Sequence, residues 1–106
     1  MNKHKKDIEY WYDRHHTGVI RIIDHNIKQI YGSDPKENYW SASFEYINNN
    51  KNELLIDFTN KKTHKIHKIM TATYKNNRNI LLWSDKNEWL RIRVDPNILL
   101  NHYNYK

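Results

Sequence analysis

Apolar and polar residues alternate along this chain far more often than they recur at helical spacing. The stretch YWSASFEYI puts Trp40, Ala42, Phe44 and Tyr46 on one face and Ser41, Ser43 and Glu45 on the other, the two-residue period of a half-buried strand. ELLIDFT sets Leu54, Ile56 and Phe58 against Leu55, Asp57 and Thr59, and LRIRV sets Leu90, Ile92 and Val94 against Arg91 and Arg93. The β-branched and aromatic side chains that fill these runs suit a pleated surface. Ala, the strongest helix former, occurs only at Ala42 and Ala72.

Polar clusters punctuate the runs: DHN at 24–26, YGSDPKEN at 31–38, NNNKN at 48–52, TNKKTH at 59–64, KNNRN at 75–79 and SDKN at 84–87. Asn and Asp tolerate the left-handed backbone of tight turns, so they replace glycine in a chain that has only Gly18 and Gly32. The pattern predicts strands over 8–13, 18–24, 27–31, 39–47, 53–59, 65–74, 80–84 and 88–94. Such short connections exclude parallel crossovers. The expected fold is all-β, an antiparallel up-and-down meander of seven or eight short strands closing into a small barrel, which removes exposed edges. Asp95-Pro96 should end the last strand. One domain spans 1–106, with a basic N-terminal segment at 1–7 and a short C-terminal tail at 96–106 whose Ile98, Leu99 and Leu100 dock on the barrel.

The segment ILLWSDKNEWLRIRV, 80–94, carries the densest chemistry. A three-residue loop of Asp85, Lys86 and Asn87, with Asn87 left-handed, pairs Trp83 with Trp89 and Leu82 with Leu90. One face then holds Ile80, Leu82, Leu90, Ile92 and Val94, an aliphatic set able to fill a core. The other holds Leu81, Trp83, Trp89, Arg91 and Arg93, an outward platform of indoles beside guanidiniums. Trp40 is expected in the core.

Composition sharpens this picture. Hydrophobic residues make up 38% of the chain and aromatics 13%, so large rings must supply much of the buried area. The net charge is +6 and the isoelectric point about 9.5, which invites a phosphate-bearing partner. Lys61, Lys62, Lys65 and Lys68, with His64 and His67, would form a positive knob around one turn. Lys outnumbers Arg thirteen to five, as an AT-rich source such as a virus would also produce. No apolar run approaches the roughly 20 residues of a membrane span. The basic start MNKHKKDIEYWYDRHH has no apolar segment or small-residue cleavage site, so no secretory signal is expected and an intracellular location fits.

Cysteine is absent, which removes thiolate chemistry and Cys-based metal sites. His64 and His67, three apart in a strand, point to opposite faces, as do the adjacent His15 and His16, so no metal is expected. His15 or His16 with His67 and a lysine would supply the parts of an acid–base phosphodiesterase. With almost no glycine, no phosphate-cradling loop is possible, and no cofactor is expected.

The spacing W-x-D…TGVIRIID at 11–24, followed by LLIDFTNK at 54–61 and ILLWSDKNEW at 80–89, resembles a group of small lipocalin-like, calycin-type barrels. Lys86 stands where that group has the glycine of a DGN turn, and the Gly-x-Trp opening of true lipocalins is missing. The resemblance implies an up-and-down antiparallel barrel and brings no shared catalytic residues.

The reading that follows is a non-enzymatic binding module with a polyanionic partner, single-stranded nucleic acid or a nucleotide. Trp83, Trp89, Arg91 and Arg93 would supply stacking and charge, and Lys61, Lys62, Lys65 and Lys68 the electrostatics. A protein-interaction or assembly module using the Trp/Arg face is the alternative. A barrel for an apolar ligand and a His-dependent phosphodiesterase follow.

Overall fold

The computed structural model describes residues 7–15, 20–34, 38–59 and 69–93. They form eight strands: β1 (Ile8–Asp13), β2 (Ile20–Asp24), β3 (Gln29–Asp34), β4 (Asn38–Ile47), β5 (Asn50–Asp57), β6 (Ile69–Lys75), β7 (Ile80–Trp83) and β8 (Glu88–Ile92). Each pairs antiparallel with the next, and β8 returns to β1, so the meander closes into a barrel. Among the described residues no helix is long and apolar enough to cross a membrane. The expected tail contact of Ile98, Leu99 and Leu100 and the lysine knob at 61–68 lie outside the described residues.

Asparagine turns close the ring as the polar clusters predict. Asn48 and Asn49 both adopt positive φ, 53° and 59°, between Ile47 and Asn50. That is the backbone of a two-residue hairpin turn whose twist matches the strands it joins. The β6–β7 turn places three successive residues, Asn76, Asn77 and Arg78, at φ of 51°, 54° and 65°.

An eight-stranded barrel has an interior just wide enough to be filled by side chains. Here the filling comes from Trp11, Ile23, Ile30, Trp40, Ala42, Phe44, Leu54, Ile56, Phe58, Met70, Ala72, Tyr74, Leu81, Trp83 and Trp89. Trp40 is in this core, as expected. Gly32 lies opposite Trp40 in the β3–β4 register. A Cβ there would approach Trp40 Cζ2 to 2.6 Å and Arg21 Cδ to 2.7 Å, so glycine makes room for both.

The β7–β8 hairpin corrects the sequence reading in two ways. The loop is Ser84, Asp85 and Lys86, with Lys86 rather than Asn87 left-handed at φ 73°, and the Trp83 amide donates to the Asn87 carbonyl across it. The pairing therefore moves to Ile80 with Leu90 and Leu81 with Trp89, a shift of two that preserves which residues share a face. The faces themselves are exchanged. Leu81, Trp83 and Trp89 point inward and are 0%, 4% and 4% exposed, while Ile80, Leu82, Leu90 and Ile92 are half-buried on the outside. The outward tryptophan platform is not there. The bulky face fills the barrel, and the aliphatic face packs laterally against Tyr10, Tyr12, Ile20 and Ile22, its neighbours in register.

Candidate functional site

Connections of an up-and-down barrel fall alternately at its two ends, and each end gathers its own polar chemistry. At one end stand the starts of β1 and β5, the ends of β4, β6 and β8, and the β2–β3 and β6–β7 turns. Their inward side chains converge on Glu9, whose carboxylate is 6% exposed.

Glu9 Oε1 accepts from the Tyr74 hydroxyl at 2.6 Å and from Trp11 Nε1 at 3.1 Å. Glu9 Oε2 lies 3.2 Å from His25 Nε2, 3.3 Å from an Arg78 Nη2 and 3.6 Å from Arg91 Nη1. His25 Nδ1 is 2.8 Å from the Tyr46 hydroxyl, and the two rings stack. His25 thus bridges Glu9 and Tyr46, one ring nitrogen on each. Arg78 closes the network from outside. Its guanidinium lies 3.7 Å over the Tyr74 ring, donates to Asn52 Oδ1 at 2.9 Å and reaches the Lys51 carbonyl.

These contacts set the ionisation of the group. Burial pushes the Glu9 carboxyl up, but hydrogen bonds from His25 and Tyr74 and the charges of His25 and Arg91 outweigh it and hold it at about 2. Burial, then the Glu9 charge and its hydrogen bond, push the Tyr74 phenol up. Burial draws the Arg91 guanidinium down, against the pull of Glu9. Two arginines and a histidine thus face one ionised carboxylate. A recess of about 490 Å³ opens beside them, lined by Asn52, Tyr74, Lys75, Asn76, Asn77 and Arg78.

The opposite end is aromatic. Ring centroids follow one another around the wall: Trp40 to Phe58 at 5.5 Å, Phe58 to Trp83 at 5.7 Å and Trp83 to Trp89 at 4.7 Å. Arg21, 1% exposed, completes the circle, 5.5 Å over Trp40 and 5.9 Å over Trp89. It donates to the Ser33 carbonyl at 2.8 Å and stands 3.7 Å from Asp13. Asp13 in turn accepts from the Asn87 amide at 3.2 Å and from the His15 backbone at 3.0 Å.

The sequence-predicted site residues divide between these places. Trp83 and Trp89 belong to the aromatic circle. Arg91 belongs to the Glu9 network at the other end. Arg93 is exposed just beyond β8, its Nε donating to Asn79 Oδ1 at 2.8 Å. Lys61, Lys62, Lys65 and Lys68 lie outside the described residues, as do His64 and, from the phosphodiesterase set, His16 and His67. Glu9, His25, Tyr74 and Arg78 were not singled out from sequence. The one available signal was Glu9 in IEYWYD, a charge on the same face as Trp11 and Asp13.

Among the described residues no group of three or more acidic or histidine side chains is placed to hold a metal ion. Comparison with protein-family models, with curated proteins and with solved structures finds no match.

Proposed function

We propose that the protein is a non-enzymatic binding module for a phosphate-bearing polyanion, single-stranded nucleic acid or a nucleotide, received at the Glu9 end. The observation that carries this reading is a convergence of donors there: the Arg78 and Arg91 guanidiniums and the His25 ring meet one buried carboxylate, with Lys75 on the rim of the adjoining recess. A phosphate oxygen can take guanidinium N–H donors that Glu9 leaves unfilled. Asn52, Asn76 and Asn77 offer amide donors and acceptors of the kind that contact base edges and sugars. Arg93, beside Asn79, widens the positive rim.

The long-range attraction has a second source. The segments 1–6 and 60–68 contain Lys3, Lys5, Lys6, Lys61, Lys62, Lys65 and Lys68 and no acidic residue, whereas acids and bases nearly balance over the described strands and turns. A lipocalin-like barrel, the resemblance carried by 11–24, 54–61 and 80–89, would likewise bind at one end.

A protein-interaction module is the second reading, favoured by the outer wall. Tyr10 lies in register between Ile22 and Ile92, and Tyr12 between Ile20 and Leu90. An uncharged apolar strip across three strands is a surface type that marks partner sites.

Fluorescence anisotropy of a labelled single-stranded oligonucleotide, at low and moderate salt, tests the first reading. Binding should weaken steeply with salt, and the variant Lys75→Ala/Arg93→Ala should bind at least tenfold more weakly. No binding at low salt overturns it. Salt-resistant association that the double variant retains moves the function to the apolar wall.

A further inference from the structure

We infer that Arg78 is a stacking platform for a nucleobase, so that the Glu9 end takes base-bearing strands or nucleotides in preference to polyanions without bases. This rests on the phosphate-binding reading of that end and adds the group that meets the ring. Arg78 is held on several sides by the barrel. Its Cζ lies 3.7 Å from the Tyr74 ring centroid, a van der Waals contact, so the phenol ring closes one face of the guanidinium. Along its edge, Nη1 donates to Asn52 Oδ1 at 2.9 Å and reaches the Lys51 carbonyl at 3.5 Å, and Nη2 donates to Glu9 Oε2 at 3.3 Å. These partners belong to β5, β6 and β1, so they fix the plane of the group as well as its position.

A guanidinium held in this way keeps one face to offer. The Arg78 side chain is 37% exposed, against 6% for Glu9, and it lines the recess of about 490 Å³ together with Tyr74, Lys75 and Asn77. That volume is on the scale of a small-ligand pocket. Unstacked bases lie on arginine planes as they do on aromatic side chains. A base in the recess would continue the Tyr74–Arg78 stack as its third layer. Lys75, exposed on the same rim, is placed for the phosphate that the base carries. Every base has a π-face, so such a platform selects for bases without choosing among them.

The test compares a labelled oligothymidylate with an abasic strand of the same phosphate count, by fluorescence anisotropy on the full chain at low salt. The parent chain should bind the oligothymidylate about fivefold or more tightly. Arg78→Lys keeps the charge and loses the plane, and should bring the two affinities to within about twofold of each other. Tryptophan emission reports whether that variant is folded. If it is not, Asn52→Ala, which removes an in-plane partner from the exposed edge of the guanidinium, should narrow the preference in the same direction. Equal binding of the two strands by the parent chain overturns the stacking and leaves the polyanion reading in place. A preference undiminished in Arg78→Lys, or in Asn52→Ala where only that variant folds, puts the ring elsewhere and overturns it too. Failure of both strands to bind overturns the stacking and the polyanion reading together.

Discussion

The Tyr74 hydroxyl donates to Glu9 at 2.6 Å, a bond from β6 to β1 that spans the barrel interior, since those strands are not neighbours in the sheet. It ties together two walls that the hydrogen-bond ladder connects only through intervening strands. The same carboxylate holds Arg78, Arg91 and His25, so one side chain anchors four elements.

Acid should therefore weaken the fold through Glu9. Its carboxyl ionises at about 2 in the folded chain against 4.5 for the unperturbed group. A depressed folded value gives stability that is complete above pH 4.5 and is lost as pH falls toward 2. The contribution is about 3 kcal/mol at neutral pH. Urea unfolding from pH 7 to pH 2 should show the loss beginning below about pH 5. Glu9→Gln should be less stable at pH 7 and show a flatter acid limb, the two guanidiniums having lost their counter-charge.

Tyr74→Phe isolates the hydroxyl. The ring stays under Arg78, but Glu9 loses its shortest hydrogen bond. Stability should fall by about 1–2 kcal/mol, and the acid limb should move to higher pH, because that bond helps hold the carboxyl down. A carboxyl titration followed by nuclear magnetic resonance would read the shift directly.

How much of this was legible in the sequence is clearest at β1 and β8. Period-two alternation and the polar clusters between apolar runs located all eight strands and the barrel, because both patterns are local. They could not say which face of ILLW and EWLRI turns inward, since both faces are apolar. The choice is made by volume and by partners elsewhere in the chain. A barrel of this size needs the indoles of Trp83 and Trp89 to fill it, and an inward Arg91 is tolerable only because Glu9 stands near it on β1. The Glu9 network combines residues 9, 25, 46, 74, 78 and 91, which only barrel closure brings together. The loop slipped by one residue because Lys86 takes a backbone conformation for which Asn87 was the better candidate by type.

Gly32→Ala should be costly although Gly32 has no unusual backbone angle. The added methyl would sit 2.6 Å from a Trp40 ring carbon and 2.7 Å from Arg21 Cδ. An indole wedged among Phe58, Arg21 and the strand behind it cannot yield as a flexible chain end would. Overpacking of this kind costs about 1–3 kcal/mol. Thermal unfolding should show a lower midpoint for the variant, and tryptophan emission should change as the circle of rings is displaced.

Two of the left-handed basic residues, Lys86 and Arg78, should respond to glycine with opposite sign. Lys86 is exposed at φ 73° and Arg78 adopts φ 65°, and each such backbone costs an L-residue about 1–2 kcal/mol. Lys86→Gly relieves that cost at the hairpin loop and should raise stability by up to about 1 kcal/mol, offset in part by the freer unfolded chain. Arg78→Gly relieves the same cost but removes the guanidinium that covers Tyr74, bonds Asn52 and faces Glu9. Losing a partner of a buried carboxylate outweighs the backbone gain, so this variant should be the less stable of the pair. Chemical denaturation of both beside the parent chain measures the difference. Equal effects would mean that Arg78 contributes nothing beyond its backbone.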